Sequence, residues 1–327
     1  SRGLLVKDIV LSTAVVDMYA KCGLLGKARE VLLELPVRDV VSWSALISGY
    51  VKQGKSHEAL DCFECMKSKS LSPDAVTFIC ILKACSRAGG LEMGKEIHAE
   101  IRKHDSLERD ILIGTALVDM YSKCGLLSQA QEVLELLPSR NVVSWNTLLS
   151  TFVEHGRGEK ALRLFRQMRE EGVKPDERTF VNVIQSCCMY SEKEEAVLDE
   201  GKSMKMVSLE IGRALHADAK KMGFASNIFI VNTLITLFGK CGSLLEAENV
   251  FMSLTERDIA CWNAMLSVYI YHGQGAMALK LYRQMQGEGI NPNCSTFIIS
   301  LQACSNLVEK GEDGMFEEVS AQISPLD

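Results

Sequence analysis

Six polar side chains recur at one register of the sequence, each of them five residues after an Asp or Asn. Their hydroxyl and amide groups, like the Asp carboxylates and Asn amides, donate and accept hydrogen bonds in patterns that differ between residue types. Each polar residue has its counterpart in the next Asp or Asn of the series, so two hydrogen-bonding groups would meet at regular intervals. The pairs are Thr13 with Asp39, Ser44 with Asp74, Thr115 with Asn141, Asn146 with Asp176, Asn232 with Asp258, and Asn263 with Asn293.

A simpler interpretation is that these Asp and Asn residues only cap the starts of helices, a role that both side chains fill well. Capping alone does not explain why the residue five places later is polar. It also does not explain why that residue is apolar in every third segment, at Ile79, Val181 and Ile298. The pattern therefore favours recognition of a partner by hydrogen bonds in addition to capping.

Three other patterns match sites of known chemistry, and each lacks part of what that chemistry requires. Residues 49–56 match the phosphate-binding pattern G-x-x-x-x-G-K-[ST], but the stretch before them has helical spacing, whereas that site follows a strand. His98 and Glu100 resemble the H-x-E of zinc deaminases, but no P-C-x-x-C follows. Cys62 and Cys65 alone supply too few ligands for a zinc site. We therefore expect no enzyme activity, no metal site and no cofactor.

The segments that carry the polar pairs are internal repeats. The three Trp of the chain, Trp43, Trp145 and Trp262, occupy the same place in three copies of one motif. Residues 1–7 are then the end of a preceding repeat, an insertion lies near residues 188–208, and the last motif is incomplete. Nine motifs of three alternating lengths are predicted to begin at Asp8, Asp39, Asp74, Asp110, Asn141, Asp176, Asn227, Asp258 and Asn293.

Each motif has the spacing of two short amphipathic helices. Trp43, Leu46, Ile47 and Tyr50 share one helical face, and Gly54 is placed to end that helix. The polar residue of each pair would lie on the first turn of the first helix. No segment shows the alternation of a strand, and the charged insertion is predicted to be a loop or a helix extension. Because one helical hairpin cannot bury its apolar face alone, the predicted fold is all-α, an α-solenoid superhelix of stacked helix-turn-helix repeats.

The composition of the 327-residue chain limits its function further. A net charge of −6 gives no general attraction for nucleic acid, so any such binding would depend on local hydrogen bonds. No apolar run reaches transmembrane length. The twelve Cys recur singly, as in Lys-Cys-Gly and Ala/Ser-Cys, and are predicted to be reduced residues of the core. Because the chain lacks an initiator Met and a targeting leader, we expect it to be part of a longer protein.

At this level of detail the chain resembles the pentatricopeptide repeat family of plant organelles. The resemblance is to the PLS subclass, which alternates short, standard and long motifs. It rests on Ala-Leu-Val-Asp-Met-Tyr-Ser-Lys-Cys-Gly at 116–125, Asn-Val-Val-Ser-Trp-Asn-Thr-Leu-Leu-Ser at 141–150 and Thr-Phe-Ile-Cys-Ile-Leu-Lys-Ala-Cys at 77–85. It covers essentially the whole chain. The resemblance implies a concave face that binds single-stranded RNA, one base per repeat, through two or three side chains.

The pairing edges of the bases agree with that implication. Guanine and uracil present a ring N–H that an Asp carboxylate can accept, whereas adenine and cytosine present a bare ring nitrogen to which an Asn amide can donate. A short hydroxyl side chain leaves room for a purine, and the longer Asn reaches a pyrimidine. Applied to the six pairs in chain order, the family's recognition rule implies 5′-GGnAUnU(C/U)n-3′, with no base assigned at the three long motifs.

A second set of residues, two places after the Asp or Asn, resembles the positions that pack against base faces in this family. Arg178 and Ser295 depart from the apolar pattern. The residues of this set are Val10, Val41, Leu112, Val143, Phe229 and, more weakly, Ala260.

The resemblance further implies a specificity factor for C-to-U RNA editing or RNA processing in mitochondria or chloroplasts. Its partners would be single-stranded RNA and other editing-complex proteins, with no membrane association and no DNA specificity, and the chain contains no deaminase domain. The alternative is a protein- or peptide-binding solenoid of the tetratricopeptide type. The acidic charge favours that alternative, whereas the alternation of three motif lengths favours RNA binding.

Overall fold

The computed structural model describes residues 9–35, 38–199 and 202–309, and within these ranges the chain forms eighteen helices and one two-stranded sheet. The elements up to the insertion are α1 (Ile9–Lys21), α2 (Leu25–Glu34), α3 (Val40–Lys52), α4 (Ser56–Ser68), α5 (Ala75–Ala88), α6 (Leu91–Ile101), α7 (Asp105–Glu108), α8 (Ile111–Lys123), α9 (Leu127–Leu136), α10 (Val142–Glu154), α11 (Gly158–Glu170) and α12 (Glu177–Ser191). The remaining elements are β1 (Val197–Asp199), β2 (Lys202–Met204), α13 (Met206–Lys221), α14 (Ile228–Lys240), α15 (Leu244–Met252), α16 (Ile259–Tyr271), α17 (Gly275–Gly287) and α18 (Cys294–Glu309).

The helices alternate between two layers. We call the first helix of each motif an A helix (α1, α3, α5, α8, α10, α12, α14, α16 and α18) and the second a B helix. The chain divides into two compact units, Ser1–Thr151 and Phe152–Asp327. In the first unit α1, α3, α5 and α8 pack side by side, and in the second α12, α14, α16 and α18 do the same. B helices pack against the A helices on either side of them, as α4 does between α3 and α5. Each unit is therefore a stack of helical hairpins, as predicted.

Glycine ends the A helices of the short and standard motifs. Gly54 follows α3 with a φ of +75°, and Gly125 follows α8 with a φ of +79°. A side chain with a Cβ adopts this left-handed conformation only at a cost, whereas glycine does not. The predicted ends of these helices are correct, and the tight turn returns each B helix onto its own A helix.

An arginine that the sequence interpretation did not single out ends the B helix before each standard motif. The Nε atoms of Arg38, Arg140 and Arg257 donate to the carbonyl oxygens of Leu32, Leu134 and Phe251 at 3.0, 2.8 and 3.1 Å. The last carbonyls of a helix lack the usual partner one turn further on. These three accept only a long backbone bond of 3.3–3.4 Å, from Leu35, Leu137 and Leu254, and the arginine adds a second donor. Since each arginine directly precedes the Asp or Asn of the next motif, the bonds also fix where that residue begins the A helix.

The three tryptophans are core residues at the starts of the standard motifs, just after these arginines. Trp43, Trp145 and Trp262 are 2%, 0% and 0% exposed. The guanidinium of Arg140 lies 5.9 Å from the ring centre of Trp145, and that of Arg257 lies 5.9 Å from the ring centre of Trp262. A cation over an aromatic face is attracted to it. The repeated Trp is thus a core residue that holds the start of an A helix, and it takes no part in the site.

The predicted structure of the insertion is wrong. In place of a loop or a helix extension, β1 and β2 form an antiparallel hairpin in which Val197 is opposite Met204. The carboxylate of Glu194 accepts hydrogen bonds from the backbone N–H groups of Val207 and Ser208 at 2.7 and 3.0 Å, and so caps α13. The backbone N–H of Lys205 donates to Cys241 O at 3.0 Å. The insertion is thus attached both to its own motif and to the next one.

The cysteine prediction is correct for the long motifs and wrong in part for the short ones. Cys85, Cys187 and Cys304 are buried, but Cys22 is exposed and Cys124 is only partly covered. All twelve are free thiols. The cysteine at the end of a short motif's A helix is therefore not always a core residue, and its burial differs between copies. No helix in the described ranges is long and apolar enough to cross a bilayer.

Candidate nucleic-acid interface

A groove along the A helices of the first unit brings predicted site residues together. It has a volume of about 560 Å³ and runs across α1, α3 and the start of α5. Both members of two predicted pairs line it, as do three valines of the apolar register. The lining side chains are Val10, Thr13, Ala14, Asp17, Asp39, Val41, Ser44, Ala45, Ser48, Asp74 and Val76. We call this surface, and the corresponding surface of the A helices in the second unit, the A-helix groove.

From α3 onward, the Asp or Asn at the start of each A helix caps that helix with one side-chain oxygen, whereas Asp8, predicted to begin the first motif, lies outside the described residues. Asp39 Oδ1 accepts from Ser42 N at 2.9 Å, Asn141 Oδ1 from Ser144 N at 2.9 Å, and Asp258 Oδ1 from Cys261 N at 2.8 Å. The simpler interpretation of these residues as caps is therefore correct. Capping uses only one of the two polar atoms of each side chain. The other atom is an acceptor oxygen in Asp and a donor nitrogen in Asn.

The polar residue of each pair lies in the second turn of its A helix, and the prediction of the first turn is wrong. The helix begins directly after the capping residue, so the residue five places after the cap is its fifth. There Ser44 Oγ donates to Val40 O at 2.8 Å and Thr115 Oγ1 to Ile111 O at 2.7 Å, each one turn back. The Thr115 hydroxyl proton is therefore used inside the helix, which leaves its oxygen as an acceptor, whereas Ser44 Oγ also lies within donating distance of Asp74 Oδ1.

At two junctions between a standard and a long motif, both members of the pair meet. Asn263 Nδ2 donates to Asn293 Oδ1 at 3.3 Å, and Ser44 Oγ lies 3.3 Å from Asp74 Oδ1. A buried threonine of the long motif joins each of them: Thr296 Oγ1 donates to Asn263 Oδ1 at 2.8 Å, and Thr77 Oγ1 contacts Ser44 Oγ. The sequence interpretation missed both threonines, although they stand at one register, three residues after the cap.

The pairs between a short and a standard motif differ. Thr13 Oγ1 and Asn232 Oδ1 are buried and have no hydrogen-bond partner within the described residues. A buried polar atom without a partner costs about 1–3 kcal/mol. Next to Asn232, burial raises the pKa of the Cys261 thiol to about 12, so the thiol is neutral there. These two sites retain unused hydrogen-bonding capacity.

Asn146 and Asp176, which form the remaining pair, belong to different units of the chain. Asn146 is buried in α10, and Asp176 Oδ1 caps α12 by accepting from Thr179 N at 2.8 Å. Thr179 Oγ1 also accepts from Asp176 N at 3.1 Å, which completes a reciprocal cap. Asp176 thus starts its helix in the same way as the other members of the series. In the three long motifs, the apolar Ile79 and Val181 are partly covered, and Ile298 is exposed.

The predicted base-packing residues are exposed although they are apolar. Val76, in a long motif, has the same position and is 55% exposed, but it was not among the predicted residues. Arg178 and Ser295 are also exposed and interrupt the apolar register. Exposed large apolar side chains at one register are unusual unless a partner covers them. The exposed fractions are 78% for Val10, 57% for Val41, 64% for Leu112, 56% for Val143 and 74% for Phe229, and Ala260 is exposed as well.

Two further cavities follow the A helices of the second unit. One, of about 630 Å³, is lined by Asn232, Ala260 and Lys240 among others, and the next, of about 500 Å³, by Asn263, Ala260 and Ser295 among others. A cavity of about 530 Å³ in the first unit, between α4 and α6, contains none of the predicted residues. The predicted side chains thus gather on the A helices.

Lysines in the last turns of the short-motif A helices are held by carboxylates. Lys21 Nζ lies 2.6 Å from Asp17, Lys123 Nζ 2.9 Å from Asp119, and Lys240 Nζ 2.5 Å from Glu192. The bond from Lys240 holds the pKa of the Glu192 carboxyl below its usual range. These positive charges are therefore offset locally, in keeping with the acidic balance of the whole chain.

Comparison with protein families gives two matching family models. The model described as "PPR repeat family" matches residues 38–87, 140–189 and 257–306. The model described as "PPR repeat" matches residues 10–40, 115–142 and 229–259. Together they cover well over half of the chain.

Curated relatives match almost the whole chain. A chloroplastic pentatricopeptide repeat-containing protein of Arabidopsis thaliana is 35% identical over 94% of this chain and 47% of its own length. A mitochondrial one from the same plant is 34% identical over 93% of this chain and 34% of its own length. The chain thus spans about half or less of the length of these relatives. Among solved structures, the pentatricopeptide repeat protein PPR10 in complex with an 18-nt psaJ RNA element matches at 19% identity and a TM-score of 0.46, over 95% of this chain and 58% of that one.

Proposed function

The chain belongs to the pentatricopeptide repeat family, and on that premise we propose that it binds single-stranded RNA selectively along the A-helix groove. The observation that carries this proposal is the groove across α1, α3 and α5. There Thr13 with Asp39 and Ser44 with Asp74 lie between exposed valines. Apolar side chains can pack against base faces while polar side chains bond base edges, which is how single strands are recognised.

The unused polar atoms support the same proposal. Thr13 Oγ1 and Asn232 Oδ1 have no partner within the described residues, and the two residues line cavities along the A helices. Each capping Asp or Asn has a second polar atom that differs between the two residue types. With the pairs in chain order, we propose the preferred sequence 5′-GGnAUnU(C/U)n-3′, in which the long motifs select no base.

The biological role follows from the relatives. Two of the relatives described above are named chloroplastic and mitochondrial, so we propose that this chain also acts in a plant organelle. There it would serve as the recognition part of a PLS-type factor for C-to-U editing or RNA processing, together with other editing-complex proteins. Because the chain spans less than two thirds of its relatives, the activity of the whole protein is part of the proposal.

The test is a titration of the full chain with 5′-GGAAUAUCA-3′, alone and annealed to its complement, followed by fluorescence anisotropy. The single strand is expected to bind at least tenfold more tightly, because a duplex hides the pairing edges of its bases. A scrambled single strand of the same composition serves as the control and should bind more weakly than the designed one. Equal binding of single strand and duplex would exclude recognition of base edges.

A further inference from the structure

We propose that the threonine three residues after the cap of a long motif is a positioning residue for base choice. It would act through the polar side chain of the preceding standard motif, whose orientation it fixes. Thr77, Thr179 and Thr296 stand at this register, and all three are fully buried. This inference rests on the proposed function, because the side chain that is positioned is one that would contact the base.

The clearest case is Thr296. Its Oγ1 lies 2.8 Å from Asn263 Oδ1 and 3.0 Å from Asn293 Oδ1, and its one proton is directed to the nearer acceptor, Asn263 Oδ1. Its backbone N–H donates to Asn293 Oδ1 at 3.0 Å. Asn263 Nδ2 in turn donates to Asn293 Oδ1 at 3.3 Å. A flip of the Asn263 amide would bring its oxygen to that same distance from Asn293 Oδ1, and two acceptors repel one another. The amide of Asn263 is thus held in one of its two orientations.

This orientation determines which hydrogen-bonding groups the pair can offer. The side-chain oxygens of Asn263 and Asn293 are both turned toward donors of the protein. The groups left to bond a base are the second N–H of Asn263 Nδ2 and the two N–H of Asn293 Nδ2, and all of these are donors. Cytosine presents two adjacent acceptors on its pairing edge, whereas uracil presents an N–H at the centre of that edge. The positioned pair is therefore complementary to cytosine and not to uracil.

Two of the junctions between short and standard motifs lack this device. At the corresponding register Ser42 Oγ and Ser144 Oγ donate to the backbone oxygens of Asp39 and Asn141, at 2.9 and 2.8 Å. Thr13 Oγ1, at one of these junctions, has no partner within the described residues. At the third such junction Cys261 occupies this register, and its thiol is hydrogen-bonded to Asn232 of the preceding motif. A threonine hydroxyl stands at this register where a long motif follows, as Thr77 does in contact with Ser44.

The experiment measures the affinity of the full chain for 5′-GGAAUAUCA-3′ and 5′-GGAAUAUUA-3′, which differ only at the eighth base. The wild type is expected to prefer the cytosine RNA. Thr296→Val keeps the branched shape but removes the hydroxyl that donates to Asn263 Oδ1. Only the contact with Asn293 Oδ1 then restrains the Asn263 amide, so its oxygen turns more easily toward the N–H of uracil. The preference for cytosine should fall by about fivefold, the effect of one neutral hydrogen bond.

Two variants separate positioning from stability. Thr296→Ser keeps the hydroxyl and should retain the wild-type preference. Ser300→Ala removes another buried hydroxyl of α18, one that donates to Thr296 O at 2.9 Å, and should lower the melting temperature without changing the preference. A role of Thr296 in stability alone would weaken binding of both RNAs equally in Thr296→Val.

The outcomes also distinguish this inference from the function on which it rests. A wild-type chain that binds neither RNA overturns the proposed function. A wild-type chain that binds both RNAs equally, or a Thr296→Val variant with an unchanged preference, overturns the positioning role and leaves RNA binding intact. Thr77→Val provides an independent repeat: it should alter discrimination between G and A at the second base and leave the eighth base unaffected.

Discussion

Each capping Asp or Asn has two side-chain atoms with separate roles. One oxygen accepts a backbone N–H and starts the helix, as Asn141 Oδ1 does with Ser144 N at 2.9 Å. The other atom is left to distinguish Asp from Asn. Since both residues cap about equally well, exchanging them leaves the helix start unchanged and alters only the second atom. This separation makes the capping residue a sensitive probe of recognition.

Asn141→Asp tests that separation directly. Paired with Thr115, Asn141 is proposed to donate to the bare ring nitrogen of adenine at the fourth base. A carboxylate would oppose that nitrogen and accept the ring N–H of guanine instead. We expect the variant to lose about 1–3 kcal/mol of binding free energy for 5′-GGAAUAUCA-3′, and to prefer the RNA with G at the fourth base.

Two controls accompany this measurement. The melting temperature should stay close to that of the wild type, because the cap is kept. Ser144→Ala, which removes a hydroxyl bonded to Asn141 O, should leave the ratio of the two affinities unchanged. An A-to-G ratio that is the same in Asn141→Asp as in the wild type would mean that Asn141 is a cap and nothing more.

His98 makes the stability of the chain depend on pH. Its Nδ1 lies 2.9 Å from the hydroxyl of Tyr121, and burial lowers the pKa of His98 to about 4, with a smaller contribution from the positive charge of Arg102. The unfolded chain takes up this proton near pH 6.5, well before the folded chain does. Stability is therefore complete above pH 6.5 and falls as the pH drops toward 4.

We expect the free energy of unfolding to fall by about 1–2 kcal/mol from this residue between pH 7 and pH 5. Urea unfolding at both pH values measures the loss. His98→Gln, which cannot be protonated, should lose less between the two pH values than the wild type. His216, whose pKa is also lowered by burial, remains in both proteins, so a residual dependence is expected. An identical loss in both proteins would exclude His98 as a source.

At the scale of the helices, the sequence predicts the hairpin pattern well because two local signals coincide. Apolar spacing gives the A helices, and glycine marks their ends, as at Gly54. The hairpin of the insertion escaped prediction because its strands are only three residues long, too short for an alternating pattern to show. Its anchor, Glu194, acts on a helix fourteen residues further along the chain, and no local pattern shows that.

The site was predicted to a similar extent. Repetition in register predicts positions that share a surface, such as Val41 and Ser44, which line one groove. The contact of Thr296 with Asn263 was not predicted, since it joins residues thirty-three apart in the chain. The caps formed by Arg38 and its equivalents likewise join side chains to carbonyls of the preceding helix. Periodicity thus predicts which residues share a surface, but not which of them bond one another.

The anchored insertion gives a prediction about stability. Glu194→Ala removes the carboxylate that caps α13 at the N–H groups of Val207 and Ser208. A lost cap costs about 1–2 kcal/mol, so the urea midpoint should fall accordingly. Glu195→Ala, a change of the exposed neighbouring carboxylate, is the matched control and should have little effect. Equal midpoints for the two variants would show that the insertion is merely tolerated.

At the scale of the whole chain, charge limits how RNA can be held. The net charge is −6, and Lys21, Lys123 and Lys240 of the A helices each contact a carboxylate. A phosphate that displaces such a carboxylate exchanges one anion for another. Binding should therefore depend on salt less steeply than in basic RNA-binding proteins, where each neutralised phosphate contributes about −0.7 to the slope.

We expect a slope of log K against log [salt] no steeper than about −2 for 5′-GGAAUAUCA-3′. Asp119→Asn releases Lys123 and should steepen that slope by about 0.7. Glu100→Gln is the control. It makes the same change in net charge, because Glu100 of the B helix α6 is paired with Lys103. Both residues line a cavity away from the A-helix groove, so the slope should stay unchanged. Equal slopes for the two variants would place Lys123 outside the RNA-binding surface.

The double role of the capping residue also bears on how such a chain evolves. An Asp codon becomes an Asn codon by a single nucleotide substitution, and either product satisfies the helix through the same oxygen, as at Asp258 and Asn141. Under the proposed base recognition, a lineage could therefore exchange one target base for another without passing through a poorly folded ancestor. Drift at these positions is nearly invisible to selection on folding and fully visible to selection on the transcript. On the same proposal, such a chain could follow a changing target transcript one nucleotide at a time.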